Sequence, residues 1–221
     1  MMLAILRVVA ILVFVYLTWR NLKDNYQEET LVTYSWLALI IFFIVARIGY
    51  GLINFGVWND SWTSWFAVWN KPGMDYTSGF LGLMLFSFWF AKLNNLKVWP
   101  FAEDIIINVL IFLSVLMADD LIRSKISLEV GIFLLFLILM AFFAKFIKGK
   151  YRSLVWYKSG KKGFGFFTTC ALGFLLLAIL GILFKFDLWV IIVHAVLSLI
   201  SFLGILILGE IINPLSINKR K

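Results

Sequence analysis

One cysteine, one histidine and three prolines among 221 residues remove several options at once. The lone Cys170 lies in an apolar run, so it builds no internal disulfide framework and leaves the redox compartment unread. No proline- or serine-rich tract divides the chain and no fixed-period repeat is evident, so a single domain over residues 1–221 is expected. Charge is scarce as well. Only 14% of the residues are Asp, Glu, Lys or Arg, too few to coat a soluble globule.

What is present in quantity is hydrocarbon. The chain is 63% hydrophobic with a mean hydropathy of +0.98, which places it in a lipid bilayer. Its formal net charge of +8 does not point to nucleic acid, because the Lys and Arg sit between apolar runs and not on one continuous basic face.

Crossing about 30 Å of hydrocarbon takes roughly 20 apolar residues in a helix. Seven spans are predicted, near Leu3–Trp19, Leu31–Tyr50, Ser78–Ala91, Phe101–Met117, Leu128–Ile147, Phe164–Phe184 and Leu188–Ile212. All are read as helices, since open strands leave backbone groups unpaired in lipid. The expected fold is therefore an all-α, polytopic integral membrane protein. The third span is short and bears glycine. No small-residue cleavage site follows the first, and Trp19, Arg20 and Lys23 read as an interfacial flank, so it is expected to be retained.

Assigning the 20 Lys and Arg to alternate sides gives 14 on one side and 6 on the other. The richer side should be cytoplasmic, which predicts the N-terminus outside and the C-terminus inside. The longest hydrophilic stretch, Lys148–Lys162, is basic with aromatics interleaved. It would lie on the inner face, as an orientation signal or against the anionic leaflet.

The most informative segment, Arg47–Gly82, falls outside. It begins with Arg47-Ile48-Gly49-Tyr50, passes through Trp58, Trp62, Trp65 and Trp69, and ends in Asn70-Lys71-Pro72-Gly73-Met74-Asp75-Tyr76-Thr77-Ser78-Gly79-Phe80-Leu81-Gly82. Glycines admit a backbone or a ligand closely. An arginine at the end of an apolar run calls for an anionic partner or polar solvent. Together they suggest a lipid head-group site. Asp75 or Thr77 is expected to cap the helix that follows, and its start, with Gly79 and Gly82 removing bulk, is also suited to a phosphate.

These residues resemble the prolipoprotein diacylglyceryl transferase family. Members carry a GGRxGYVxF segment closing one helix, an aromatic loop, then W-x-GGMSFHGGLxG opening the next; Ala46–Tyr50 and Trp69–Gly82 follow that order and spacing. Ala102-Glu103-Asp104 resembles the family's SDFIAPLIP entry, and seven spans with the N-terminus outside is its architecture. The departures are specific. Thr77 stands in place of the histidine of SFHGG, and Ala118 in place of the arginine of a GRxGNFxNxE signature falling near Met117–Lys125. Phe174 and Ala178 replace a late arginine and glutamate, and the family's large insertion before the fifth span is missing.

The resemblance implies a transferase in the bacterial cytoplasmic membrane that moves diacylglyceryl from phosphatidylglycerol to the cysteine thiol of a lipoprotein signal peptide. It needs no metal and no other cofactor. It implies substrate-binding roles for Arg47, Tyr50, Asp75, Tyr76, Thr77, Ser78, Gly79 and Arg123, with Arg47 on the phosphate. Asp119 or Asp120 would be the base, although an Asp119–Arg123 ion pair one turn apart is the plain reading of that cluster. Two alternatives remain open, an inactive homologue that binds lipid or signal peptide and an unrelated membrane transporter or scaffold. Other polar residues read as structural. Glu103 and Asp104 suit a helix start, His194 a bond to a neighbouring helix, Glu210 water or the terminal lysines, and Asn54, Asn70 and Asn108 interhelical bonds.

Overall fold

The computed structural model describes residues 2–54, 73–123, 127–151 and 161–208. The four-tryptophan loop, Asn70, Glu210 and most of the basic Lys148–Lys162 stretch lie outside them. Among the described residues there are seven helices and no strand: α1 Met2–Leu22, α2 Glu28–Ile53, α3 Tyr76–Leu93, α4 Val98–Arg123, α5 Leu128–Lys150, α6 Phe164–Leu183 and α7 Leu188–Leu208. Each falls on one expected span, with α6 ending one residue before Phe184 and residues 209–212 of the last span lying outside the described residues. Six are long and apolar enough to cross a membrane, by length and composition. The exception is α3, whose 18 residues open on Tyr-Thr-Ser-Gly and rise about 27 Å. The fourth helix is longer than expected at both ends: Pro100 is tolerated in its first turn, and the Ala118–Arg123 segment holds no glycine or proline to stop it.

Local chemistry accounts for the helix ends. Glu28 and Glu29 sit in the first turn of α2, where the helix dipole favours negative charge. At the end of α1, Lys23 lies 4.6 Å from the Trp19 ring and Arg20 lies 6.0 Å from that of Tyr16. Such cation–aromatic pairs suit the head-group level of a bilayer. The α3–α4 and α6–α7 turns share one design: Asn95 and Lys185 adopt φ 54° and 55°. Leu96 N–H then donates to Ala91 O, and Phe186 N–H to Gly181 O, both at 2.8 Å, capping the helix before each turn.

The chain divides into two compact units, Met1–Phe101 and Ala102–Lys221. In the first, α2 packs along α3 with almost no spacing. A Cβ on Gly79 would stand 2.7 Å from Phe42 Cε2 and 2.9 Å from Ala46 Cβ, and one on Gly82 would stand 2.8 Å from Val45 Cβ. Glycine at these positions lets dispersion and polar contacts join the helices where lipid supplies no hydrophobic force. The buried Tyr34 hydroxyl and Ser87 Oγ are 2.6 Å apart, among the rings of Phe86, Phe90 and Phe101. Gly79→Val should therefore lower stability by about 2 kcal/mol, the usual scale of overpacking, read as a lowered unfolding midpoint in detergent.

In the second unit α6 packs along α7, with Ser198 Oγ donating to Ala171 O at 2.8 Å and the Phe167 ring lying where Gly204 has no side chain. His194, 4% exposed, stacks on Phe174 with ring centroids 6.1 Å apart.

Glu103 and Asp104 serve other helices than their own, which corrects the reading that they favour the start of α4. That helix begins at Val98, so neither lies in its first turn. The Glu103 carboxylate accepts from Gly163 N–H at 2.8 Å and Gly165 N–H at 2.9 Å, at the start of α6. Asp104 pairs with Lys148 near the end of α5. Gly163, at φ 109°, brings no side chain to cap α6, and Glu103 supplies the missing acceptor. Asn54 is a second correction: its Nδ2 donates to Tyr50 O at 3.0 Å, closing the end of α2 instead of joining two helices.

Candidate functional site

The last two turns of α2 present two unlike faces. Ile48 and Leu52 are 47% and 63% exposed, as lipid-facing residues would be, while Ala46, Arg47 and Gly49 are buried. Positions three and four apart share a face of a helix. Ala46, Gly49 and Tyr50 thus form one surface, and the chain entering α3 lies on it. Asp75 N–H donates to Ala46 O at 2.9 Å. Ser78 occupies the place a Cβ on Gly49 would need, and the Tyr50 ring covers Gly73 in the same way.

Arg47 completes the arrangement. It is 7% exposed, and its Nη1 donates to Gly73 O at 2.8 Å. A backbone carbonyl is a neutral acceptor, and this bond orients the guanidinium. A buried cation is costly unless it is hydrogen-bonded. Here the partner lies 26 residues along the chain, and the bond ties the end of α2 to the start of α3.

Asp75 is the N-cap of α3. Its Oδ2 accepts from Ser78 N–H at 2.8 Å and from the Ser78 hydroxyl, while Gly79 N–H donates to Asp75 O at 3.0 Å. Of the two caps expected, Asp75 is the one formed, and it engages the Ser78 amide that a phosphate at the helix start would otherwise use. Asp75→Ala should destabilise α3 by about 1 kcal/mol, and Asp75→Ser, which keeps an acceptor, by less. Thermal unfolding of the three proteins in one detergent would rank them.

The structure therefore gathers Arg47, Tyr50, Asp75, Ser78 and Gly79 in one place, with Tyr76 and Thr77 half-buried in the first turn of α3. Asp119, Asp120 and Arg123 belong to the second unit, in the last turns of α4. Asp119 is fully enclosed and Asp120 is half-buried. The side chain of Arg123 lies outside the described residues, so the expected ion pair with Asp119 does too. Among the described residues no group of three or more His, Cys, Asp or Glu could hold a metal ion.

Sequence reasoning passed over Gly73 and misjudged Glu103. The signal for Gly73 was its place in Pro72-Gly73, two residues before the Asp75 cap. For Glu103 it was the absence of Ser, Thr, Asp or Asn just before α6, a buried helix start with no acceptor of its own.

Apolar helices with lipid-facing side chains, and one charged, glycine-lined junction between two of them, define a multi-pass membrane protein with a polar site at a helix junction. Residues 2–117 match the family model of prolipoprotein diacylglyceryl transferase, over more than half of the chain. The chain belongs to that family. No curated protein and no solved structure matches it. The matched region contains the whole Arg47–Gly79 junction and Glu103, and it ends before Asp119, Asp120 and Arg123. Membership makes this a transferase-family protein of lipoprotein biogenesis and sets aside the reading in which the local likeness is accidental.

Proposed function

We propose that the chain transfers a diacylglyceryl group from phosphatidylglycerol to the cysteine thiol of a lipoprotein signal peptide, in the cytoplasmic membrane of a bacterium. One observation carries this: the buried Arg47 guanidinium lies beside the Gly73–Gly79 turn, within the region that matches the family. A guanidinium presents paired donors to phosphate oxygens and stabilises the charge that grows on a phosphate leaving group.

In the reaction the thiol gives up its proton, its sulfur forms a bond to the glycerol carbon of the donor, and the bond from that carbon to the phosphate oxygen breaks. Glycerol phosphate leaves with the electron pair. Arg47 holds the phosphate, and Tyr50, Tyr76, Thr77, Ser78 and Gly79 shape the space around the head group. Asp75 fixes the turn. Asp119 and Asp120 are the candidates to take the proton. The 14-to-6 division of basic residues supports an outside N-terminus and an outward-facing site.

Thr77 and Ala118, at positions where the family has histidine and arginine, favour a second reading: a homologue that binds the lipid or the signal peptide and performs no transfer. Purified protein in phosphatidylglycerol vesicles, given a lipobox peptide, separates the two. Thioether-linked diacylglyceryl peptide that is absent with a Cys→Ser peptide supports the transferase. Saturable lipid binding without product supports the binding homologue.

A further inference from the structure

A carboxylate at the junction is more than the cap of α3 requires. Ser, Asn and Asp cap a helix about equally well, so the cap calls for an acceptor and not for a charge. Beside a site for a phosphate the charge also has a cost, because like charges repel. Of the described side chains gathered at the junction, Arg47 is the cation and Asp75 the anion. The same short stretch holds both: Gly73 O accepts from Arg47, and Asp75 N–H donates to Ala46 O at 2.9 Å. The carboxylate lies against α2 where Gly49 has no side chain, with Oδ2 3.3 Å from the point a Cβ would occupy. Both bonds from Ser78, through its N–H and its hydroxyl, end on that oxygen. A carboxylate has two oxygens and about four acceptor positions. The cap therefore uses one oxygen and leaves Oδ1 for a further donor, on a residue that is only half-buried.

We propose that Asp75 selects the donor lipid, its carboxylate accepting hydrogen bonds from the hydroxyls of the head glycerol. A carboxylate is an acceptor only and a guanidinium a donor only. Together they match a ligand that joins an anionic phosphodiester to a neutral group bearing hydroxyl donors. A head group of equal charge without a hydroxyl would set an anion beside Asp75 with no donor to offset it. A site built to bond a hydroxyl rejects the analogue that lacks it. The glycerol phosphate that leaves keeps the same hydroxyls, so Asp75 holds the head group while the carbon–oxygen bond breaks. The inference deepens the proposed function and rests on its placing of the donor head group at this junction.

The test compares two lipids of one charge. The full-length protein is titrated with phosphatidylcholine vesicles containing either phosphatidylglycerol or phosphatidylethanol, whose phosphodiester carries an ethyl group in place of the head glycerol. The wild type should bind phosphatidylglycerol about tenfold more tightly, the scale of one hydrogen bond to a charged group. Asp75→Ser keeps a capping oxygen and should lose the preference. Asp75→Asn, a second variant able to cap, keeps a neutral acceptor and should retain a preference of about threefold. Each ratio is taken within one protein, so a general loss of stability cancels. A wild type without preference would overturn the proposal. So would equal weakening of both lipids in the Asp75 variants, which leaves the preference intact and shows a structural contact only. Arg47→Ala should weaken both lipids together. If it changes neither affinity, the reading of Arg47 as the phosphate ligand fails, while the ratio in Asp75→Ser still decides the role of Asp75.

Discussion

Arg47→Ala should weaken the binding of phosphatidylglycerol by about 30- to 1000-fold, the scale of about 2–4 kcal/mol for losing a desolvated, charge-assisted contact. As a residue Arg47 is 7% exposed, so little water competes for its contacts. Arg47→Lys should fall between the two. It keeps the charge and loses the planar fork that bonds Gly73 O while offering donors to phosphate oxygens. Titrating each protein with phosphatidylglycerol in a background of zwitterionic lipid would give the order wild type, lysine, alanine. Equal affinity in all three would remove Arg47 from the site.

The second large effect concerns stability and belongs to the second unit. Glu103→Ala removes the acceptor shared by Gly163 N–H and Gly165 N–H and leaves two buried amides unpaired. Each such loss costs about 1–3 kcal/mol, so a combined destabilisation of about 3 kcal/mol is expected. Glu103→Gln keeps a neutral acceptor oxygen and should lose about half as much. Unfolding midpoints in detergent at one pH test the order, and a Glu103→Ala protein as stable as the wild type would refute it. Asp104 gives a useful contrast. Its partner Lys148 is 42% exposed, so breaking that pair should matter less.

The difference between these cases explains what the sequence made legible. Helix positions were readable because a long apolar run in lipid has few ways to satisfy its backbone. The short α3 was the weakest of the seven for the same reason: its polar first turn dilutes the run. Caps within one stretch of chain were readable too, and Asp75 three residues before Ser78 is such a pattern. Contacts across a long separation were not. Glu103 caps a helix 60 residues away, and nothing near Glu103 in the chain encodes the missing acceptor at Gly163. An acid near a helix start is ambiguous until the neighbouring helix is placed.

The candidate site shows both sides of this. The arginine, the glycines and the polar turn stand out against apolar surroundings, so their joint presence was visible. Their division of labour was not. The helix start looked equally able to take a cap or a phosphate, and the structure gives the Ser78 amide to Asp75. The Tyr50 ring covers Gly73, a contact that no local pattern announces. The two aspartates looked alike in sequence, yet one is fully enclosed and its neighbour is not.

The central claim, that an anionic phospholipid head group rests against Arg47 beside the start of α3, has a direct test. A phosphatidylglycerol analogue with a photoreactive group on its head glycerol would be cross-linked to the protein in vesicles, and the labelled peptides mapped. The account predicts labels concentrated in residues 46–50 and 73–79, competed by unlabelled phosphatidylglycerol and lost in Arg47→Ala. Labels confined to the basic 148–162 stretch, or an unchanged pattern in Arg47→Ala, would contradict it.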